Sequence, residues 1–209
     1  MTTPARLSCT DLTLDRGGRV LVRGFSLGVS AGDAVVLTGP NGSGKTTLLR
    51  ALAGLVRPAA GEIVREPKEA GIAFLGHADG LKTSESVKAM LQSWTTLHGE
   101  DAGPARLDAV MRELAVAHLA RRECGKLSAG QKRRAALART VLSNRPIWLL
   151  DEPAAPLDTA SKARLAELVA RHRKAGGLVV ASTHLDLGWE DVRLVDLQPA
   201  DPTPKETAP

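Results

Sequence analysis

The sequence predicts an α/β protein with a mostly parallel core sheet around a phosphate-binding loop, an N-terminal antiparallel β layer and a helical insertion. Three observations carry this reading. First, Gly39-Pro40-Asn41-Gly42-Ser43-Gly44-Lys45-Thr46 fits G-x-x-x-x-G-K-[ST] and follows the apolar run Ala34-Val35-Val36-Leu37, the strand, glycine loop and helix order of a phosphate cradle. Second, unalternating apolar runs recur at Ile72 to Leu75, Ile147 to Leu150 and Leu178 to Ala181, and such runs suit strands buried on both faces of a parallel sheet. Third, short apolar pieces separated by glycines precede the loop, which reads as antiparallel β structure.

Taken in order, the N-terminal pieces are Leu12-Thr13-Leu14, Val20-Leu21-Val22 and Phe25 to Val29, set apart by Gly17-Gly18 and Gly24. After the loop, a helix from Lys45 to Ala53 carries Leu48, Leu49 and Leu52 and stops at Gly54, with Pro58 beyond it. Val87, Met90, Leu91, Trp94 and Leu97, then Leu107, Val110, Met111 and Leu114, recur at helical spacing within residues 82–126. With the helix that follows them they place a helical insertion over about residues 82–142. Residues 1–200 are expected to form one domain, and 201–209, proline-containing and without an apolar cluster, a disordered tail.

A length of 209 residues favours one core with an insertion, and 43% hydrophobic residues suffice to build it. The formal charge is +5, but Lys and Arg are scattered among nearly as many acids and aromatics are only 2%. Without a basic run interleaved with aromatics, nucleic acid is not an expected partner. Cys9 and Cys124 lie far apart with no C-x-x-C spacing, which argues against a metal site or redox pair and fits a reducing compartment. No apolar run approaches the ~18 residues needed to span a bilayer, and the N-terminus lacks the apolar core of a signal peptide. A cytosolic protein, held at a membrane only by a partner, is the expectation.

The chemistry is concentrated in three places. In the loop, glycines without a Cβ let successive backbone N–H groups turn inward around a phosphate chain, and the following helix points its positive dipole end at it. Lys45 is placed to reach the β/γ-phosphates and Thr46 to ligate Mg²⁺. Next, Ile147-Trp148-Leu149-Leu150-Asp151-Glu152 is an apolar strand ending in two carboxylates, and in open α/β sheets ligands sit at the carboxyl ends of strands. Asp151 is expected to hold Mg²⁺, through water, and Glu152 to orient or deprotonate an attacking water. Lastly, Ser128 and Gln131 in Leu127-Ser128-Ala129-Gly130-Gln131 have capping-box spacing ahead of an apolar face at Leu137, Ala138, Val141 and Leu142. A capped helix start with Ser and Gly exposed is also an anion site.

In this order the segments resemble the nucleotide-binding subunit of an ABC transporter. The resemblance rests on the P-loop at Gly39 to Thr46, the signature sequence at Leu127 to Gln131, Asp151 with Glu152, Asp158, and His184 after Ala181-Ser182-Thr183, over roughly residues 7–198. It implies a P-loop NTPase of ABC type that hydrolyses ATP with Mg²⁺, using Glu152, His184 and Lys45 in catalysis. ATP would be bound by Arg16, Gly39, Asn41, Gly42, Ser43, Gly44, Lys45, Thr46 and Thr47. It also implies a head-to-tail dimer with two sandwiched ATPs, in which Ser128, Gly130, Gln131 and Asp158 of one copy complete the site of the other.

Three positions depart from the family pattern. Asp15-Arg16-Gly17-Gly18 stands where most members place an aromatic to stack on adenine, so the guanidinium of Arg16 is the candidate for that stack. Phe74-Leu75-Gly76-His77 stands where the family has a glutamine, and an imidazole is a poor direct Mg²⁺ ligand, so His77 is expected to act through a water. Pro156 replaces the more usual residue in Ala155-Pro156-Leu157-Asp158.

Leu75-Gly76-His77-Ala78-Asp79-Gly80-Leu81-Lys82, with Arg16 and Gly176-Gly177, is similar to one subfamily, the ATP-binding subunits of the cytochrome c maturation system, a haem exporter. That resemblance implies integral membrane subunits bound at the helical insertion and a peripheral location on the cytoplasmic face of the bacterial inner membrane. The work done would be haem export or release of a haem-loaded chaperone. An ABC exporter for another cargo shares every catalytic residue, and a soluble ABC ATPase of iron–sulfur cluster assembly is a further alternative; the sequence leaves both open.

Overall fold

The computed structural model describes residues 3–97 and 103–200. A five-stranded sheet in the order β5-β6-β7-β3-β8 is parallel throughout, built from β3 (Ala34–Thr38), β5 (Ile72–Leu75), β6 (Ile147–Asp151), β7 (Leu178–Ser182) and β8 (Val192–Asp196). Every residue of β6 and β7 is buried, which is why these segments lack the alternation of a half-exposed strand. In register, Ser182 pairs with Leu37 on one side and Asp151 on the other. The chain therefore leaves β3, β6 and β7 at one level, delivering the glycine loop, the two carboxylates and the Thr183-His184 segment to the same edge of the sheet.

The N-terminal layer is a three-stranded antiparallel sheet in the order β2-β1-β4, comprising β1 (Arg6–Arg16), β2 (Arg19–Ser30) and β4 (Ala60–Glu66). It differs from expectation in two respects. The pieces at Val20–Val22 and Phe25–Val29 are one strand, interrupted by a register irregularity where Asp11 and Gly24 take positive φ, the mark of a bulge rather than a turn. The third strand comes from beyond the glycine loop, and its largely exposed sequence carries little apolar signal.

β3 alternates across the sheet. Val35 and Leu37 face a core shared with Leu7, Leu12, Leu48 and Leu149, while Ala34 and Val36 face one shared with Leu75, Leu91, Leu137 and Leu150. The first core holds α1 (Lys45–Leu52) between the two sheets, and α1 ends where Gly54 at φ 75 donates its N–H to Ala51 O and Leu55 to Arg50 O, a C-terminal stop of the expected glycine kind.

The second core is covered by α2 (Val87–Leu97), α3 (Gly103–Glu113), α4 (Ala129–Leu142) and α5 (Thr159–Lys174). The predicted stripes bury Val87, Met90, Leu91, Leu107, Val110, Met111 and Leu114, but Leu97 is 77% exposed. Trp94 lies under the guanidinium of Arg139, 4.3 Å from its ring centroid. Residues 201–209, expected to be disordered, lie outside the described residues. No helix among the described residues is long and apolar enough to cross a membrane.

Candidate nucleotide-binding and hydrolytic site

The loop between β3 and α1 is shaped by contacts that exclude a side chain. Gly39, at φ 122, lies where a Cβ would come within 2.3 Å of Leu197 O, and Gly44, at φ 99, where one would come within 2.8 Å of Val22 Cγ2. Only glycine satisfies both conditions. Lys45 is 8% exposed, and its ammonium donates to Gly39 O at 2.7 Å and Pro40 O at 2.9 Å. The cation thus folds back across the loop and fixes its curvature.

At the ends of β6 and β7, Asp151 is fully enclosed. It accepts hydrogen bonds from the Thr46 hydroxyl (3.1 and 3.0 Å to its two oxygens) and from the Ser182 hydroxyl at 2.6 Å. Glu152 turns away from the strand at φ 49. Its Oε1 lies 3.0 Å from His184 Nδ1, and its Oε2 is buried without a hydrogen-bond partner among the described residues. A buried carboxylate oxygen left unpaired is costly unless a ligand or water completes it.

These groups open on one cleft of about 710 Å³. Of the residues predicted from sequence, Arg16, Asn41, Gly42, Gly44, Lys45, Thr46, Thr47, His77, Asp151, Glu152 and His184 line it. Gly39 and Ser43 do not: Gly39 borders the adjoining cavity beside His184, and Ser43 is fully buried beneath the loop. Sequence reasoning missed Arg19 and Arg50, which join Arg16 and Lys45 in making the wall strongly cationic. Such a wall fits a polyphosphate. The donor set also fits Mg²⁺, since Thr46 and Asp151 offer hard oxygens and leave the remaining positions to phosphate and water.

Ser128, Gly130, Gln131 and Asp158 lie outside this cleft. Ser128 caps α4 in a reciprocal box, its Oγ accepting from Gln131 N at 3.3 Å and its N–H donating to Gln131 Oε1 at 3.0 Å. Asp158 caps α5 by accepting from Ser161 N at 2.8 Å, and the hydrogen bonds from Ser161 draw its carboxyl below the usual range. A Cβ on Gly130 would approach Pro156 O to 3.0 Å, so the Asp158 loop and the start of α4 adjoin each other. They form a second polar group of residues away from the phosphate cradle of the same chain.

Arg133 was also missed. It is 2% exposed on α4 and contacts the backbone of the Asp151-Glu152-Pro153 turn; burial lowers its pKa, an effect opposed first by Asp79. Its place four residues before Leu137 on the apolar stripe is a signal that could have found it, because a charged residue on a buried face must be paired.

The ABC transporter family profile matches residues 22–155. A relative named cytochrome c biogenesis ATP-binding export protein CcmA, from Maricaulis maris, is 48% identical over 200 residues, covering 93% of this chain and 92% of the relative. The chain belongs to the CcmA family of ABC ATP-binding proteins. The CcmA of Rhodobacter capsulatus is 46% identical, with 96% of this chain and 91% of the relative covered. Among solved structures, a putative ABC transporter ATP-binding protein from Pyrococcus furiosus superposes with a TM-score of 0.81 at 28% identity, covering 92% of this chain and 97% of that one. A bacterial Atm1-family ABC exporter with ATP bound superposes at 0.82 with 23% identity, covering 95% of this chain and 38% of that one, a likeness of fold alone. As a CcmA-family member this chain is an ABC-type ATPase.

Proposed function

We propose that this chain is the ATP-hydrolysing subunit of a membrane complex of cytochrome c biogenesis, powering haem export or the release of a haem-loaded chaperone. The observation that carries this reading is the 48% identity to a CcmA protein over nearly the full length of both chains. The complex would contain two copies of this chain and integral membrane subunits, with the chain peripheral on the cytoplasmic face of the bacterial inner membrane.

Within the site, Lys45 and the loop amides would bind the β- and γ-phosphates, and Thr46 and Asp151 would hold Mg²⁺, with His77 acting through a water. Asn41, Gly42, Gly44 and Thr47 supply the rest of the phosphate cradle, Gly39 and Ser43 shape the loop from behind it, and Arg16 stacks on the base. Bound Mg·ATP supplies the electrophilic γ-phosphorus. Glu152 takes the proton of the attacking water, while His184 Nδ1–H holds its Oε1. Because the imidazole both holds the base and lines the cleft, it relays the presence of a γ-phosphate to Glu152. Ser128, Gly130, Gln131 and Asp158 are already shaped as helix starts, which favours their use across a head-to-tail dimer as the second wall of each ATP site.

The test is co-purification. Tagged chain carrying Glu152→Gln, extracted from membranes with detergent in Mg·ATP, is expected to bring integral membrane proteins with it. Recovery only in the soluble fraction would redirect the assignment to a soluble ABC ATPase.

A further inference from the structure

Glu152, directly after β6, is one of five non-glycine residues at positive φ among the described residues, at 49°. Conformations of this kind persist where the surroundings over-determine them. Here one side chain does so. The guanidinium of Arg133 donates through Nη2 to Asp151 O at 2.5 Å and to Glu152 O at 2.7 Å, and through Nε to Pro153 O at 3.3 Å. Three consecutive carbonyls of the turn are held by a single planar group. Nη1 faces the other way, donating to Gly76 O and Asp79 Oδ1, both at 2.9 Å. All five N–H groups of the guanidinium are thus used, and a fully satisfied buried network of this type is rigid.

We propose that Arg133 is a positioning residue for Glu152, and that it ties the catalytic turn to the 76–80 loop carrying His77, so that displacement of that loop is felt at the base. Arg139, further along α4, braces the same loop through Gly80 O at 2.7 Å and Asp79 O at 3.0 Å. Both arginines sit on the helix that begins at Ser128, so α4, the loop and the catalytic turn move as one connected unit. A lysine would not replace Arg133, because its donors radiate from one nitrogen and do not reach acceptors at opposite edges of a planar group. The inference rests on the reading of Glu152 as general base.

The experiment compares turnover and ATP affinity in the purified full chain for Arg133→Lys, Asp79→Asn and Glu152→Gln. Misplacement of the base predicts that Arg133→Lys lowers kcat roughly 10- to 100-fold with ATP affinity within about twofold, and that it adds no further loss in a Glu152→Gln background. Asp79→Asn, which keeps the turn contacts but weakens the tie to the loop, should lower kcat by a smaller factor. Wild-type turnover in Arg133→Lys, or loss of ATP affinity equal to the loss of turnover, overturns the proposal. If Arg133→Lys does not fold, wild-type turnover in Asp79→Asn overturns it. Wild-type turnover in Glu152→Gln would instead remove the general-base reading on which it stands.

Discussion

His184 Nδ1 lies 3.0 Å from Glu152 Oε1, while the second oxygen of that carboxylate is buried and unpaired among the described residues. The imidazole thus orients the carboxylate that is read as the base. Glu152→Gln retains the shape and removes the basicity, so turnover should fall ~10²- to 10⁴-fold while ATP binding persists. With hydrolysis blocked, Mg·ATP is expected to drive the variant into a dimer on size-exclusion chromatography. A variant that binds ATP yet elutes as a monomer would contradict the head-to-tail arrangement.

Thr46 and Ser182 both donate hydroxyl hydrogen bonds to the Asp151 carboxylate. Thr46→Ala removes the proposed Mg²⁺ ligand and one of these hydrogen-bond donors together. The Mg²⁺ concentration for half-maximal ATPase activity should then rise roughly 10-fold, read by titrating the metal at fixed ATP.

Gly44 sits at φ 99 with its Cβ position 2.8 Å from Val22 Cγ2. Gly44→Ala should cost about 1–3 kcal/mol of folding stability, measured by urea unfolding. Gly28, with ordinary backbone geometry and nothing within 4 Å of its Cβ position, is the control: Gly28→Ala should stay within about 0.5 kcal/mol of wild type.

The His172 ring stacks on Trp148 with centroids 3.9 Å apart and faces Pro146 O at 3.2 Å. Burial lowers its pKa below the ordinary 6.5, outweighing the hydrogen bonds that raise it. The unfolded chain therefore binds this proton more readily than the folded one. The associated stability is fully present above about pH 6.5 and declines as the pH falls through the lower folded value. Urea midpoints at about pH 7.5 and about pH 5.5 should separate more in wild type than in His172→Phe, which keeps the stack and removes the titration.

What could be read in advance follows the strength of the local signal. The glycine loop, β6 and β7 are legible because burial on both faces forces continuous apolar runs. β4 and β8 were missed because both are edge strands with largely exposed residues, so neither needs apolar runs or strict alternation. At the site, residues in a motif or at a position aligned with the family pattern, Arg16 and His77 among them, were read from sequence, whereas cleft and turn contacts outside those patterns were not. Arg19 and Arg50 reach the cleft from β2 and α1, and Arg133 reaches the catalytic turn from α4, relationships that exist only after the layers are assembled.

The central claim is that ATP hydrolysis by this chain drives cytochrome c biogenesis. Its most direct test is a haem stain of membrane c-type cytochromes in cells whose only copy of the chain carries Glu152→Gln, beside cells with the wild-type copy. The account predicts loss of the mature cytochromes with the haem chaperone retained in its loaded form. Normal staining at equal expression of the variant would contradict it.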